Sequence, residues 1–447
     1  MRTYYLRSFG CQMNEHDAER IRFALESEGL AGVAGPDEAD VLVYNTCTVR
    51  RSADERLAGH LGEAARLKRE DPARIVLVTG CLPQAEQQGL FASFPFVDGA
   101  LGPQNVHRLP ELLRAAVEPA GSAGGPSGRP GFFVDGPELS GPLPGRRERR
   151  HQAWVQVMSG CTNFCSYCIV PYVRGPERSR EAGEILAEVA ALATDGVREV
   201  TLLGQNVNTY GLDLRRARRE NAVDFASLLR LLDTQDGVSR VRFMTSHPKD
   251  LSSDLVAAVA SLPSVCEHVH LPLQSGSDAI LTAMQRSYTA AEFLGRVSTL
   301  RAAVPDISIT TDLMAGFPGE TEDDFAATLA AVHEAQFDGA FTFVYSAREG
   351  TAAAALGGQV PEDVRRQRVE RLVTLTQDLA LAAHRRWVGR TAEVLVEGPS
   401  RRGDGLRGRT RQNVTVNFTG AAEAGAIVQV EIEAATSTTL RGRLTRT

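Results

Sequence analysis

The 447-residue chain is predicted to be α/β, with an N-terminal parallel α/β sheet domain over 1–118, a central partial (β/α)6 barrel over 151–380 and a small OB-like β-barrel over 381–447. Three observations carry this expectation. Apolar runs of strand length alternate with helix-period segments through the first two parts, the pattern of a parallel sheet with helices on its faces. A stretch rich in Gly, Pro and Ser, 119–150, separates them and reads as a linker. Beyond a charged helical segment, Pro361 to Val388, the pattern turns to short alternating strands with glycine turns.

In the first part the strands are Tyr4-Tyr-Leu-Arg-Ser-Phe-Gly, Ala39-Asp-Val-Leu-Val-Tyr and Ile75-Val-Leu-Val-Thr-Gly. The linker holds one strand-like piece, Phe132-Phe-Val. Six strands follow: Trp154-Val-Gln-Val-Met, Val200-Thr-Leu-Leu-Gly, Val241-Arg-Phe-Met-Thr, His268-Val-His-Leu-Pro-Leu, Ile309-Thr-Thr-Asp-Leu-Met and Phe341-Thr-Phe-Val-Tyr. Helical stretches such as Glu184 to Thr194, Phe225 to Asp233 and Glu322 to Ala335 separate most of them. Six strand-helix units are too few for a closed eight-fold barrel and suit an open one. Polar residues cluster after the strands, at Gln205-Asn-Val-Asn, Ser246-His-Pro, Gln274-Ser-Gly-Ser and Gly316-Phe-Pro-Gly-Glu. In parallel α/β folds that edge carries the active site. The last part reads as Ala392-Glu-Val-Leu-Val, Asn413-Val-Thr-Val-Asn-Phe and Ile427-Val-Gln-Val-Glu-Ile.

Hydrophobic content of 43% and charged content of 23% exclude wholesale disorder and collagen-like repeats. No apolar run reaches the roughly 20 residues that span a bilayer, and Met1 to Cys11 lacks a signal-peptide core, so a soluble cytoplasmic protein with no membrane partner is expected. The net charge of −6 is uneven: Leu381 to Thr447 holds eleven Arg against six Asp and Glu, a basic appendage on an acidic body. Seven cysteines without an export signal point to metal or redox chemistry rather than disulfides.

The strongest motif is Cys161-Thr-Asn-Phe-Cys165-Ser-Tyr-Cys168, directly after a strand. Three thiolates at this spacing can ligate three irons of a four-iron cluster and leave the fourth open to a small molecule. A structural zinc site wants four ligands, and no second cysteine pair lies nearby. Cys11, Cys47 and Cys81 each follow an N-terminal strand, and adjacent parallel strands would bring them to one edge, as a second three-thiolate site. Cys266, on a strand flank, reads as a buried structural thiol. Glycine at a strand end permits close backbone approach to a ligand or simply makes a turn, which leaves both readings open for Gly204 and Gly316. Gln274-Ser-Gly-Ser either lines the same cavity or caps the next helix through Ser277. Arg174 and Arg180 either bind carboxylate or phosphate oxygens or are solvated surface arginines. Arg407, Arg409 and Arg411 alternate, so on a strand they share one face that either tracks a phosphate backbone or stays solvated.

The cysteine triplet resembles the signature of the radical S-adenosylmethionine enzymes, whose core is a six-unit partial barrel. With the second cysteine trio and the Arg-rich barrel, the whole chain resembles the methylthiotransferases of that superfamily. The resemblance rests on Ser8-Phe-Gly-Cys-Gln-Met-Asn, Asn45-Thr-Cys-Thr-Val-Arg, Cys168-Ile-Val-Pro-Tyr-Val-Arg-Gly, Leu203-Gly-Gln-Asn-Val-Asn, Thr245-Ser-His-Pro, His270-Leu-Pro-Leu-Gln-Ser-Gly-Ser and Gly316-Phe-Pro-Gly-Glu-Thr. It implies two [4Fe-4S] clusters, on Cys11/Cys47/Cys81 and Cys161/Cys165/Cys168. It also implies S-adenosylmethionine as methyl donor and radical source, held near Gly204, Gln205, Asn206, Gln274, Gly316, Phe317 and Arg180, with no catalytic side chain beyond the cluster ligands. The stretch from Gly405 is similar to the RNA-binding TRAM domain, which implies tRNA contacts at Arg407, Arg409 and Arg411, and Arg174, close to the cysteine loop, is a further candidate for tRNA phosphate. The implied reaction adds a methylthio group to carbon 2 of N6-dimethylallyladenosine at tRNA position 37, with an electron donor such as flavodoxin or ferredoxin and a sulfur donor or cluster-assembly protein as partners. Threonylcarbamoyladenosine of tRNA or an aspartate of a ribosomal protein is the alternative acceptor within the family. An iron-sulfur RNA-binding protein without catalysis is the alternative of another class.

Overall fold

The computed structural model describes all residues except 1, 11, 49–50, 88, 118–130, 135–146, 148, 401–404 and 446–447, and leaves the side chains of 51–55 undescribed. Cys11 and most of the expected linker therefore lie outside the described residues. The chain divides into two units, the first Met1–Glu148 with Ser159–Thr162 and Ile169–Glu177, the second the remainder.

In the first unit the strands are β1 (Thr3–Ser8), β2 (Ala31–Gly32), β3 (Val41–Thr46), β4 (Ile75–Gly80), β5 (Gly99–Leu101) and β6 (Phe132–Phe133). They form one all-parallel sheet in the order β2-β1-β3-β4-β5-β6. β3 and β4 are buried at every position, as expected of central strands covered on both faces. Alternate residues divide between two cores: Leu42, Tyr44, Val76 and Val78 pack with Leu57 and Leu61 of α2 (Arg51–Glu70), while Val41, Val43, Ile75 and Leu77 pack with Ile21 and Leu25 of α1 (Gln12–Ser27). Short helices α3 (Cys81–Glu86) and α4 (Gly89–Ser93), then α5 (Leu109–Val117), complete this part, and α6 (Val170–Arg174) belongs to the same unit. The strand-like Phe132-Phe-Val of the linker is β6, paired with β5.

The second unit begins with β7 (Gln152–Gln156); the two-residue strands β8 (Met158–Ser159) and β9 (Arg178–Ser179) flank the cysteine loop. β10 (Glu199–Leu203) lies between β7 and β11 (Arg240–Phe243), and β13 (Ser308–Ala315) between β12 (His268–His270) and β14 (Gly339–Val344), all parallel. A single parallel bridge, Val241 to Val265, links the two triplets. The result is an open run of six parallel strands in sequence order, the partial barrel expected. Around it run α7 (Ala182–Thr194), α8 (Leu212–Arg216), α9 (Phe225–Asp233), α10 (Ser253–Ser261), α11 (Asp278–Ala283), α12 (Ala290–Ala303), α13 (Glu322–Ala335) and α14 (Glu362–Arg385). Asp224, Ser252 and Ser277 cap α9, α10 and α11, and capping boxes at Thr289/Glu292 and Thr321/Asp324 start α12 and α13. On β13, Ile309, Leu313 and Ala315 face the helix-covered core, while Thr310, Asp312 and Met314 are half-buried on the opposite face.

A closed barrel, β15-β16-β17-β19-β18, ends the chain: β15 (Thr391–Pro399), β16 (Leu406–Thr410), β17 (Thr415–Thr419), β18 (Ile427–Ala435) and β19 (Thr439–Leu444). The closure is so tight that a Cβ at Gly408 or Gly442 would fall on the facing carbonyl of Leu395 or Glu431. The expected boundary at 381 falls inside α14, which runs on to Arg385.

Buried charge joins this barrel to the strand starts of the central one. Arg240, fully buried, pairs with Glu393 at 2.8 Å and donates to the Arg409 carbonyl. Arg242 pairs with Glu199 at 2.9 Å and donates to the carbonyls of Thr410 and Arg411, and Arg411 returns a pair to Glu267 at 2.8 Å. Against the burial that would raise it, Arg242 and Arg240 hold the Glu199 carboxyl below its ordinary 4.5. A carboxyl depressed on folding adds stability above its unfolded pKa and loses it as pH falls through the folded value. The wild-type advantage over Glu199→Gln in thermal unfolding is therefore expected to be full at neutral pH and to shrink as pH drops below about 4.5. A pH series of melting curves for both chains checks this.

Candidate active site

At the N-terminal sheet edge the register aligns the thiols. Thr46 of β3 faces Gly80 of β4, so the next residues, Cys47 and Cys81, occupy matching positions, each only 1% exposed. Ser8 of β1 faces Asn45, which carries Gly10 opposite Cys47; Cys11 lies outside the described residues. Gly10 is left-handed, and a Cβ there would stand 2.5 Å from the Cys47 Cβ and 2.9 Å from its Sγ. The loop can pass the Cys47 thiol only as glycine. A Cβ at Gly80 would likewise fall on the Thr46 carbonyl. The edge is otherwise polar and pinned: Asn45 Nδ2 donates to the Asn14 carbonyl, Asn14 Nδ2 to the Thr46 carbonyl, and the Leu82 N–H to Thr46 Oγ1. Arg174 is buried in this unit, 3.5 Å from Asp17, and its carbonyl accepts from Gln104.

The cysteine loop starts at Gly160, left-handed, where a Cβ would meet the Pro176 and Gly175 carbonyls. The Cys161 N–H donates to the Gly175 carbonyl. In the second unit Cys165 is buried and the Cys168 N–H donates to its carbonyl, while Ser166 donates to the Met284 carbonyl through N–H and to the Ala283 carbonyl through Oγ. Arg286 donates to Cys165 Sγ at 3.4 Å, to Tyr288 Oη at 3.0 Å and to the Pro272 carbonyl at 3.1 Å. Burial pushes the Tyr167 phenol between the two cysteines upward.

Among the described residues no three Cys, His, Asp or Glu side chains converge as ligands of one ion. A four-iron cube binds each thiolate through a different iron, so its ligands need no common point. The donor chemistry fits such a group: soft sulfur ligands, a buried cation against Cys165, and a glycine cradle at Cys47 that a side chain would fill.

Gly204 directly follows β10, and a Cβ there would meet the Met158 side chain at 2.5 Å. Asn206, 1% exposed, donates to Asp250 at 2.8 Å and accepts from the His247 N–H. Among the described residues the buried Gln205 Oε1 has no hydrogen-bond partner, which leaves it an orphaned acceptor. Burial, with Arg286, Lys249 and Arg296 adding to it, drives the His247 imidazole down to about 2, so it is neutral, and its ring stands edge-on to Tyr288. Gln274 is left-handed and bridges to β13 through main-chain bonds with Asp312 and Met314. Gly316, also left-handed, donates its N–H to Glu320, which pairs with Arg368.

These placements bear on several expectations, some met and some corrected. Ser277 caps α11 and donates to Asp324 at 2.6 Å, so the capping reading of that segment is realised. Phe317 is fully buried against Ile280, Met284, Tyr345 and Ala353, which leaves its ring no surface for a ligand. Arg174 and Arg180 are not solvated: Arg180 donates to the Gln156 carbonyl and pairs with Glu188 at 2.7 Å. Arg407 and Arg409 do share a face, on which both pair with buried Glu397, but Arg411 lies past the end of β16 and turns to Glu267. Cys266 is buried beside Arg242, and burial pushes its thiol up, as expected of a structural residue. The sequence reading missed Arg286 and Tyr288, since a lone Arg-Ser-Tyr after a helix carries no signal; only the three-dimensional contact with Cys165 does.

Three family models match the chain: the uncharacterized protein family UPF0004 at 3–102, the radical SAM superfamily at 155–332 and the TRAM domain at 385–445. A tRNA-2-methylthio-N(6)-dimethylallyladenosine synthase of Caldicellulosiruptor saccharolyticus is 44% identical over 93% of this chain and 86% of its own. That of Clostridium novyi is 44% identical over 99% of this chain and 96% of its own. Among solved structures, a radical S-adenosylmethionine methyltransferase of Kitasatospora setae, with cobalamin and a [4Fe-4S] cluster bound, shares the fold at a TM-score of 0.58 and 15% identity, covering 79% of this chain and 77% of its own. The chain belongs to the tRNA-2-methylthio-N(6)-dimethylallyladenosine synthase family of radical S-adenosylmethionine enzymes.

Proposed function

We propose that the protein attaches a methylthio group to carbon 2 of N6-dimethylallyladenosine at position 37 of tRNA. The observation that carries this reading is similarity along essentially the whole chain to relatives of that name, with all six cluster-type cysteines present. Carbon 2 of the purine has no acidic proton and no leaving group, so side-chain acid-base chemistry cannot open it and a cofactor radical is required. Cys161, Cys165 and Cys168 would hold one [4Fe-4S] cluster, and Cys11, Cys47 and Cys81 a second. When bound, the first would supply the electron for cleaving one S-adenosylmethionine to methionine and a 5′-deoxyadenosyl radical able to take the carbon-2 hydrogen, and the second would hold the sulfur that receives its methyl group from another S-adenosylmethionine. Gly204, Gln205, Asn206, Gln274 and Gly316 would line the S-adenosylmethionine site, the orphaned Gln205 acceptor taking a ligand N–H.

Residues 1–118 would form the sulfur-carrying module, 151–380 the radical module and 381–447 the tRNA-binding module, joined by the 119–150 linker. Arg407 and Arg409, half-buried on Glu397, would meet phosphates at their outer edges. The acceptor base has to leave its stack, at a cost of a few kcal/mol that such contacts offset. The electron donor would be a flavodoxin or ferredoxin, and the sulfur would come from a donor or cluster-assembly protein. A cytoplasmic location is part of this proposal; among the described residues no helix is long and apolar enough to cross a membrane.

Nucleoside mass spectrometry of tRNA from a strain lacking the gene tests the acceptor. Loss of the 2-methylthio nucleoside with accumulation of its dimethylallyl precursor is expected. An unchanged profile would move the acceptor to threonylcarbamoyladenosine or a ribosomal protein. Cys81→Ala is expected to lose one of two iron pools and all methylthio transfer while still forming 5′-deoxyadenosine. Iron analysis alongside chromatography of both products reads this separation.

A further inference from the structure

Segment 283–286 clasps the cysteine loop. Ala283 and Met284 accept from Ser166, and Arg286, turned inward after left-handed Gln285, donates to Cys165 Sγ. Arg286 is buried and held on all sides, by Tyr288 Oη, by the Pro272 carbonyl and by the Tyr288 ring 5.1 Å from its guanidinium carbon. Among the described residues no carboxylate pairs with it; the groups that favour its charge are Tyr167, Tyr288 and Cys165. A buried guanidinium without an anion is costly, and the one soft acceptor aligned with an N–H is the Cys165 sulfur.

We propose that Arg286 is a positioning residue for the radical-generating cluster, its charge and its N–H to Cys165 sulfur raising the potential at which that cluster takes up an electron. The inference rests on the assignment of Cys165 as a cluster ligand. One-electron reduction adds a negative charge to the cluster, so a fixed cation beside a ligand sulfur stabilises the reduced form more than the oxidised one. Because Arg286 is pinned by Pro272 and Tyr288 before any electron arrives, little reorganisation accompanies the charge change. Hydrogen bonds to ligand sulfur act in the same direction.

The test uses the full chain with Cys11, Cys47 and Cys81 replaced by Ala, so that a single iron pool remains, compared with the same chain carrying Arg286→Lys or Arg286→Gln. Iron and sulfide content and the electron paramagnetic resonance amplitude are followed against solution potential under anaerobic conditions. Arg286→Gln is expected to retain iron and to show a reduced-to-oxidised ratio at least tenfold lower at fixed potential, about 59 mV for one electron. Arg286→Lys, which keeps the charge, is expected to fall between. An unchanged midpoint in an iron-loaded Arg286→Gln chain overturns the proposal. If that variant loses its iron, the Arg286-containing chain with ¹⁵N-labelled arginine decides: ¹⁵N hyperfine coupling to the reduced cluster supports the proposal and its absence overturns it. A parent chain that binds no iron at all would instead overturn the cluster assignment, before any Arg286 variant is read.

Discussion

Cys161→Ala is expected to bring 5′-deoxyadenosine formation by the reduced, reconstituted protein down to the enzyme-free control, and methylthio transfer with it. The size of the effect follows from the chemistry. Three thiolates are the fewest that leave one iron of a four-iron cube open for S-adenosylmethionine, and removing one leaves a second iron unprotected. No other residue can substitute at that position: the Gly160 backbone is left-handed and a side chain there would strike the Gly175 and Pro176 carbonyls, so the loop cannot slide by one residue. Cys161→Ser keeps the shape but offers a harder oxygen donor, and is expected to bind less iron than the wild type. Retention of wild-type 5′-deoxyadenosine formation by Cys161→Ala would remove the triplet from the chemistry altogether.

Arg242→Ala should be the most damaging change away from the cysteines, with a loss of about 3–5 kcal/mol expected for one partner removed from a buried ion pair. Arg242 is 5% exposed, its Nε lies 2.9 Å from Glu199, and its other nitrogens satisfy the Thr410 and Arg411 carbonyls. Its removal leaves the Glu199 carboxylate buried with Arg240 at 3.7 Å as its remaining charge partner, takes the Arg242 donor from the Arg411 carbonyl, and leaves the Thr410 carbonyl only the Asn413 N–H among the described residues. Arg242→Met, similar in volume but apolar, leaves the same Glu199 charge in place and is expected to be nearly as damaging. The double change Arg242→Met with Glu199→Leu is expected to recover much of the loss, because no unpaired charge then remains. Denaturant midpoints of the four chains measure this, and equal stabilities would show that the network carries no energy.

The parts of the molecule legible in sequence are those set by local rules. Val41 to Thr46 and Ile75 to Gly80 announce central parallel strands because both faces demand apolar residues, and the spans of α9 and α13 agree because Asp224 and Thr321 cap them. The register that aligns Cys47 with Cys81 follows from the position of each cysteine directly after its strand. β19 escaped notice, and β16 entered only as a condition on the arginine alternation, because Leu-Arg-Gly-Arg is a poor strand sequence in both; barrel closure, which needs Gly408 and Gly442 against facing carbonyls, makes them strands. Side-chain roles fixed by distant partners were illegible for the same reason. Alternation could place Arg407 and Arg409 on one face but not reveal Glu397 beneath them, nor that Arg411 turns to Glu267 or that Arg286 reaches Cys165 across 121 residues.

If the proposed function holds, conversion of a purine C–H to a C–SCH3 group needs both cysteine sites. The most direct measurement incubates the anaerobically reconstituted full chain with S-adenosylmethionine, a reductant and tRNA bearing N6-dimethylallyladenosine, and quantifies 2-methylthio-N6-dimethylallyladenosine and 5′-deoxyadenosine together. Both products are expected from the wild type, 5′-deoxyadenosine alone from Cys81→Ala and neither from Cys161→Ala. Methylthio nucleoside formed by either cysteine variant at the wild-type level would contradict this expectation.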